Sequence, residues 1–405
     1  MRACRPGRRG SCQSAGSTAV SSTQQLVLWK WFASNFVLAL SCGGGFTHEL
    51  VIIPQRGTGV TAAGSAELTA GAATGERGSD YAKLSQAVRR AGLLDRRTGD
   101  YAWRIAITTF LLAAGWAAFV LIGDSWWQLA VAVFLAVMFT QIGFLGHDAG
   151  HRQICTGRRR SYVLGLLLGN LGIGLSIGWW IAKHNRHHAN PNTEGADPDV
   201  MLRALAMTPG QAASSRGVAR IVYRCQAFLF FPMLLGEGFS IHVASVRALT
   251  RRSGQHRWAE VALLATHFAA YLTAVFLVLS PLKAVAFILV QQGLFGVYLG
   301  ASFAPNHKGM PILSRRDEQD FLRRQVLTSR NIRGNWFTDL ALGGLNYQIE
   351  HHLFPSMPRP SLRRSQPLIS EFCREHGLAY CEASVLGSYA QALRHLHAVG
   401  AQASP

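Results

Sequence analysis

The chain has 405 residues, 49% of them hydrophobic and only 15% charged, with 40 Lys+Arg against 21 Asp+Glu and a formal charge of +19. Low charge density excludes an intrinsically disordered protein, and long uncharged apolar blocks argue against an ordinary soluble enzyme, whose charged fraction is about 25%. The basic charge flanks apolar stretches and comes with no zinc-finger, basic-zipper or RNA-binding signature, so it reads as a membrane pattern and no nucleic-acid partner is expected.

Residues 1–80 differ from the rest, being rich in Gly, Ala, Ser and Thr. They are expected to be a disordered or over-extended N-terminal segment, with linker over 57–80. Arg2, Arg5, Arg8 and Arg9 ahead of the apolar run Leu26 to Leu40 also fit a signal peptide. The folded unit is expected over 81–398, followed by a short tail, 399–405. Tyr81 to Leu94 alternates polar and apolar residues at helical spacing and is expected to lie along the membrane surface.

Four uncharged stretches then have the roughly 20 residues a bilayer-crossing helix needs. They are Ile105–Gly123, Trp126–Gly146, Val261–Leu282 and Ala284–Asn306. They form two hairpins, turned at Asp124–Ser125 and near Lys283. Both turns are nearly free of Lys and Arg, whereas the segment between the hairpins and the region after Lys308 are strongly basic. The positive-inside rule therefore puts both termini and the middle segment in the cytoplasm. Ser161 to Ala182 is a fifth uncharged stretch, interrupted by Gly165, Gly169, Gly172, Gly174 and Gly178, and is expected to be re-entrant or interfacial. Ala227 to Gly236, broken by Pro232 and followed by Glu237, is expected to be interfacial. The predicted fold class is an all-α membrane protein: four transmembrane helices in two hairpins, interfacial helices, and a cytoplasmic helical cap carrying a dimetal site.

The chemistry-bearing residues lie beside these spans. His147 and His151 follow the second span, His184, His187 and His188 follow the glycine-rich stretch, and Gln348, His351 and His352 lie in the C-terminal region. Spacings of i, i+3 and i+4 put each set on one helix face. Seven of the 15 histidines fall in three five-residue windows, against the plain alternative of surface histidines near membrane ends. Neutral imidazole is the commonest protein metal ligand. Seven ligands exceed what one ion takes, so two ions with open positions fit, and the absence of cysteine from the windows argues against iron–sulfur or Cys-rich zinc sites. The donor type alone leaves iron, copper, zinc and nickel open. The seven cysteines are scattered without a CxxC, which suits a reducing compartment.

With HDAGH, HNRHH and QIEHHLFP in this order between two hydrophobic hairpins, the chain resembles the integral-membrane fatty acid desaturases from about Tyr81 to about Ala398. The glutamine opening the third box is similar to that of front-end acyl desaturases. No HPGG haem motif of a fused cytochrome b5 domain occurs, so the resemblance is to a stand-alone form of bacterial flavour. It implies two irons, Fe2+/Fe3+, held by His147, His151, His184, His187, His188, His351 and His352, which are also the catalytic residues. It further implies His307 as an additional ligand at the end of the fourth span, and Gln348 as a ligand or an orienting group. O2 is the implied co-substrate. The implied activity is desaturation of a long-chain fatty acyl group linked to coenzyme A or a lipid, in a bacterial inner or plasma membrane, with the metal site cytoplasmic.

Asp148, Asn185, Asp197, Asp199 and Glu350 are candidates for accepting the second imidazole N–H and so fixing each ligand's direction. Trp179, Trp180, Asn335, Trp336 and Phe337 read as packing or interface residues. His267, inside the third span, is expected to be neutral and hydrogen-bonded, and His242, His256, His376, His395 and His397 show no comparable spacing. No G-x-G-x-x-G fingerprint and no Cys4 iron–sulfur spacing is present, so no bound nicotinamide or haem is expected and electrons must come from a separate ferredoxin or cytochrome with an NAD(P)H reductase. Rival readings are a hydroxylase, alkane oxygenase or carotenoid ketolase on the same scaffold, a membrane metal transporter or sensor, and a haem-binding electron carrier.

Overall fold

The structure is a computed structural model that describes residues 77–251 and 256–403. The expectations for residues 1–76, an extension with linker or a signal peptide, lie outside the described residues. Helix α1 runs Arg77–Arg90, and the first hairpin follows as α2 (Thr98–Ile122) and α3 (Gln128–Gly150). After the loop come α4 (Arg158–Gly165), a π-helical stretch Leu166–Gly172, and α5 (Ile177–Ala189). Short helices α6 (Pro209–Ala213), α7 (Gly217–Arg224) and α8 (Gln226–Leu234) lead to α9 (Glu237–Arg251). The second hairpin is α10 (Arg257–Val278) and α11 (Pro281–His307). The C-terminal region holds α12 (Phe321–Leu327), strand β1 (Asn331–Arg333), α13 (Trp336–Ala341), α14 (Gln348–Leu353), α15 (Arg359–Glu375), strand β2 (Glu382–Ser384) and α16 (Val385–Gly400).

Helices α2, α3, α10 and α11 have 25, 23, 22 and 27 residues and are long and apolar enough to cross a bilayer. At about 1.5 Å per residue even the shortest spans about 33 Å, more than a hydrocarbon core of about 30 Å. Their burial differs with their place. Helix α3 is the most enclosed, packed between α2 and α11, whereas α2 turns Trp103, Phe110 and Leu121 outward, as lipid contact allows. Phe119, Phe139, Phe287 and Phe295 form the shared core of the bundle.

The two expected interruptions are sharp bends. Residues 158–172 and α5 meet at 112°, and α8 and α9 at 69°. In the first, Gly174 takes φ +68 and the chain reverses toward the end it came from. Two histidines clasp this turn: His267 Nδ1 lies 2.8 Å from the Leu171 carbonyl and His242 Nδ1 lies 2.9 Å from the Gly174 carbonyl. The intramembrane His267 is thus hydrogen-bonded, as expected from sequence. In the second bend, Pro232 lies in the last turn of α8, which ends at Leu234, and Glu237 starts α9.

Helix α1 begins four residues before the expected boundary, and its apolar stripe meets protein. Leu84, Val88 and Leu93 are buried with Leu322, Val326, Ile349, Leu353 and Ile369 in the core of a cap built by the C-terminal elements. The Tyr81 hydroxyl donates to the Leu353 carbonyl at 3.1 Å, tying α1 to the helix of the third histidine cluster. Strands β1 and β2 pair in parallel, Ile332 opposite Ala383, and lock the two halves of this cap together.

Candidate metal centre

Four elements deliver the histidines. His147 is in the last turn of α3 and His151 caps it. His184, His187 and His188 lie on α5, which the 112° bend aims back at the end of α3. His307 ends α11, and His351 and His352 lie on α14. The i, i+4 and i, i+3, i+4 spacings thus become converging faces.

The imidazoles form two neighbouring groups. In one, His147, His151, His184 and His351 each offer a nitrogen within 4.8 Å of the others; in the second, His187, His307 and His352 do the same. His188 stands between them, its ring centre 4.6 Å from that of His151 and 4.2 Å from that of His352. Asp197 and Asp199 also lie within ligand range of His187, but they face its Nδ1, while Nε2 faces His307.

The donor set fits metal ions. His147 Nε2, His151 Nε2, His188 Nδ1, His352 Nε2 and both nitrogens of His351 are buried without a hydrogen-bond partner. Orphaned buried nitrogens cost stability unless something outside the protein engages them. Burial, reinforced by the neighbouring imidazoles, holds His151, His351 and His352 well below the usual histidine range. They are therefore neutral near pH 7, with a lone pair free to bind a cation.

Several of these histidines have an oriented second nitrogen. Asp148 Oδ1 lies 3.2 Å from His147 Nδ1, and its other oxygen pairs with Arg359 at 2.6 Å. Asp197 Oδ2 lies 2.9 Å from His187 Nδ1, held there by the Asn192 amide. The Thr328 carbonyl faces His307 Nδ1 at 2.9 Å, and Gln325 Oε1 faces His352 Nδ1 at 2.8 Å. Of the carboxylates expected in this role, Asp148 and Asp197 contact imidazoles at hydrogen-bond distance and Asp199 sits farther off, 3.6 Å from His187, paired with Lys183. Glu350 instead accepts from Asn331 and Tyr380, pinning α14 to β1, and burial pushes its pKa up to about 7 against those two hydrogen bonds. Asn185 lies in a cleft beside the histidines.

Gln348 is at the second group. Its amide nitrogen faces His307 Nε2 at 3.0 Å, while its oxygen accepts from Asn306 at 3.1 Å. Trp180 stacks on His184 with ring centres 4.4 Å apart. A Cβ on Gly150 would come within 2.5 Å of that indole, which explains a glycine between the paired histidines of α3 and the loop. Trp336 and Phe337 are exposed, as interface aromatics would be. His395 bonds the Met207 carbonyl, away from either group.

The profile of the fatty acid desaturase family matches residues 124–384, which contain all three histidine windows and His307. The chain belongs to the fatty acid desaturase family. Relatives of this desaturase include the "Acyl-lipid (9-3)-desaturase" of Physcomitrium patens, 32% identical over 68% of this chain and 54% of that protein. The "Delta(8)-fatty-acid desaturase" of Helianthus annuus is 26% identical over 80% of this chain and 74% of its own length. The "Delta(6)-fatty-acid desaturase" of Caenorhabditis elegans is 31% identical over 78% of this chain and 74% of its own. The desaturase therefore spans about half of the moss protein and three quarters of the other two. Sequence reasoning did not find Gln325, Thr328 or Arg359, which follow no repeated spacing and act through tertiary contact.

Proposed function

We propose that this protein introduces a carbon–carbon double bond into a long-chain fatty acyl group, linked to a lipid or to coenzyme A, using O2 and two electrons. The atoms balance when a –CH2–CH2– pair, O2, two electrons and two protons give –CH=CH– and two waters. The observation carrying this reading is the pair of adjacent groups of converging, buried or half-buried imidazoles at one end of the spans, several of whose nitrogens have no hydrogen-bond partner.

His147, His151, His184 and His351 would hold one iron, and His187, His307 and His352 the other, with His188 between them. Bound there, iron supplies the O2-derived oxidising power that acid–base side chains lack for unactivated methylenes. The protein's own part is positional. Asp148, Asp197, Gln325 and the Thr328 carbonyl fix ring direction. The two groups share one end of the bundle rather than lining a path across it, which favours an enzyme over a transporter. A hydroxylase on the same scaffold differs only in its product. The electrons come from a separate ferredoxin or cytochrome with its reductase, and the centre faces the cytoplasm of a plasma membrane.

The test is to express the chain with a competent reductase in membranes and profile acyl chains by mass spectrometry with double-bond localisation. A new unsaturated acyl species is expected, and none with His187→Ala. Equal product from that variant, or a hydroxylated product alone, refutes the reading.

A further inference from the structure

A cleft of about 1450 Å3 opens beside the first histidine group, between the α3–α4 loop, α4, α5 and the start of α10. It exceeds the roughly 300–1,000 Å3 that encloses a drug-sized ligand. His151 forms part of its wall, so the cleft reaches the metal centre. Arg152, Arg158, Arg159 and Arg257 also line it. None of the four forms an ion pair among the described residues. The Nε of Arg257 is buried and has no acceptor. Val163, Leu166, Ile181 and Leu249 add apolar wall. The lining holds one carboxylate, Glu260, whose oxygens already accept from the Tyr162 and Ser176 hydroxyls and the Gly178 amide.

The cleft also lies where a bilayer surface would be. Its rim arginines stand at the starts of α4 and α10, and directly beyond them Val163, Leu167 and Trp258 are exposed. An exposed tryptophan beside an arginine at a span end marks the headgroup level. We propose that this cleft takes a membrane glycerophospholipid sideways from the bilayer, its phosphate held by the four arginines and one acyl chain laid along the apolar wall toward His151. The inference rests on the acyl-desaturase reading and adds the carrier. Coenzyme A bears phosphate too, but lipid-facing side chains around the rim select a lipid that never leaves the membrane.

The test uses the metal-loaded full chain in vesicles containing phosphatidylglycerol with a photoreactive group on one saturated acyl chain. Labelled peptides are mapped by mass spectrometry, with unlabelled phosphatidylglycerol, dipalmitoylglycerol or palmitoyl-coenzyme A as competitors. Labelling is expected within 149–166, displaced by phosphatidylglycerol and not by dipalmitoylglycerol. The exposed double variant Arg158→Glu/Arg159→Glu is expected to lose labelling by about tenfold, the weight of one charge-assisted contact, with unchanged metal content. Labelling elsewhere, or labelling the variant retains, overturns the site. Competition by dipalmitoylglycerol overturns the phosphate's role, and stronger competition by palmitoyl-coenzyme A overturns the lipid as carrier. Because labelling needs no turnover, it stands apart from whether a double bond is formed.

Discussion

At the scale of single residues, the chain Arg359–Asp148–His147 shows how the site is held from outside its ligand set. Asp148 is buried between a guanidinium at 2.6 Å and an imidazole nitrogen at 3.2 Å. Arg359 is placed in turn by its backbone amide, which donates to the Tyr101 hydroxyl at 3.0 Å. Removing the guanidinium leaves a buried carboxylate uncompensated, a loss of about 3–5 kcal/mol. Arg359→Met is therefore expected to weaken metal binding at the first group by about 10–100-fold while the second group keeps its ion. Metal analysis after graded chelation checks this, and unchanged content sinks it. A pH effect follows from the same burial. His151, His351 and His352 have folded pKa values well below the usual value, so the unfolded chain binds more protons over the intervening range. Stability of the metal-free protein is thus full above about pH 6.5 and falls as the pH drops below it. Melting curves between pH 7.5 and pH 5 in detergent, run without metal, should show that fall; a flat profile contradicts neutral buried imidazoles. The converging histidines were legible because helical spacing repeats in the sequence. Of the groups that orient them, Asp148 and Asp197 stand in or close to the windows and were legible too, whereas Arg359 and Gln325 were not, since Arg359 reaches Asp148 from 211 positions away and Gln325 reaches His352 from another helix.

At the scale of elements, the glycine-rich stretch decides where the second histidine window points. Its glycines signalled an interruption in the sequence, and the 112° bend is the form it takes. Gly174 is the position where only glycine serves, because φ is +68 and an added Cβ would lie 2.7 Å from His267 and 2.9 Å from His242. Those two rings cannot yield without dropping their bonds to the turn's carbonyls. Gly174→Ala is expected to cost at least the 1–3 kcal/mol typical of a strained backbone, roughly, and to tilt α5 away from the centre. A lower denaturation midpoint together with metal loss is the expected result; a wild-type midpoint removes the argument. The partner of α1 was not legible in the same way. An amphipathic stripe states how much apolar surface must be covered, not whether lipid or protein covers it, and here the cap supplies Ile349, Leu353 and Ile369.

At the scale of the whole molecule, charge is divided between the two ends of the spans. The end opposite the histidines holds the two hairpin turns, which bind each other. Asp124 pairs with Lys283 at 3.1 Å and accepts from the Ser280 amide at 2.9 Å. The one lysine of these turns is thereby neutralised, with exposed Trp126 and Trp127 beside it as an interfacial belt. The other end carries the arginines of α4, α7, α9 and α15. Retention of such positive charge on the cytoplasmic side sets orientation, so the cap and its histidines should face the cytoplasm. A C-terminal alkaline phosphatase fusion should accordingly be inactive and a fluorescent-protein fusion bright. Cysteine placed by Ser125→Cys should react with an impermeant maleimide added outside intact cells, whereas the exposed Cys225, between α7 and α8, should react only after permeabilisation. The reverse pattern would put the metal centre on the far side of the membrane from any cytoplasmic electron carrier, and the proposed source of reducing power would fall with it.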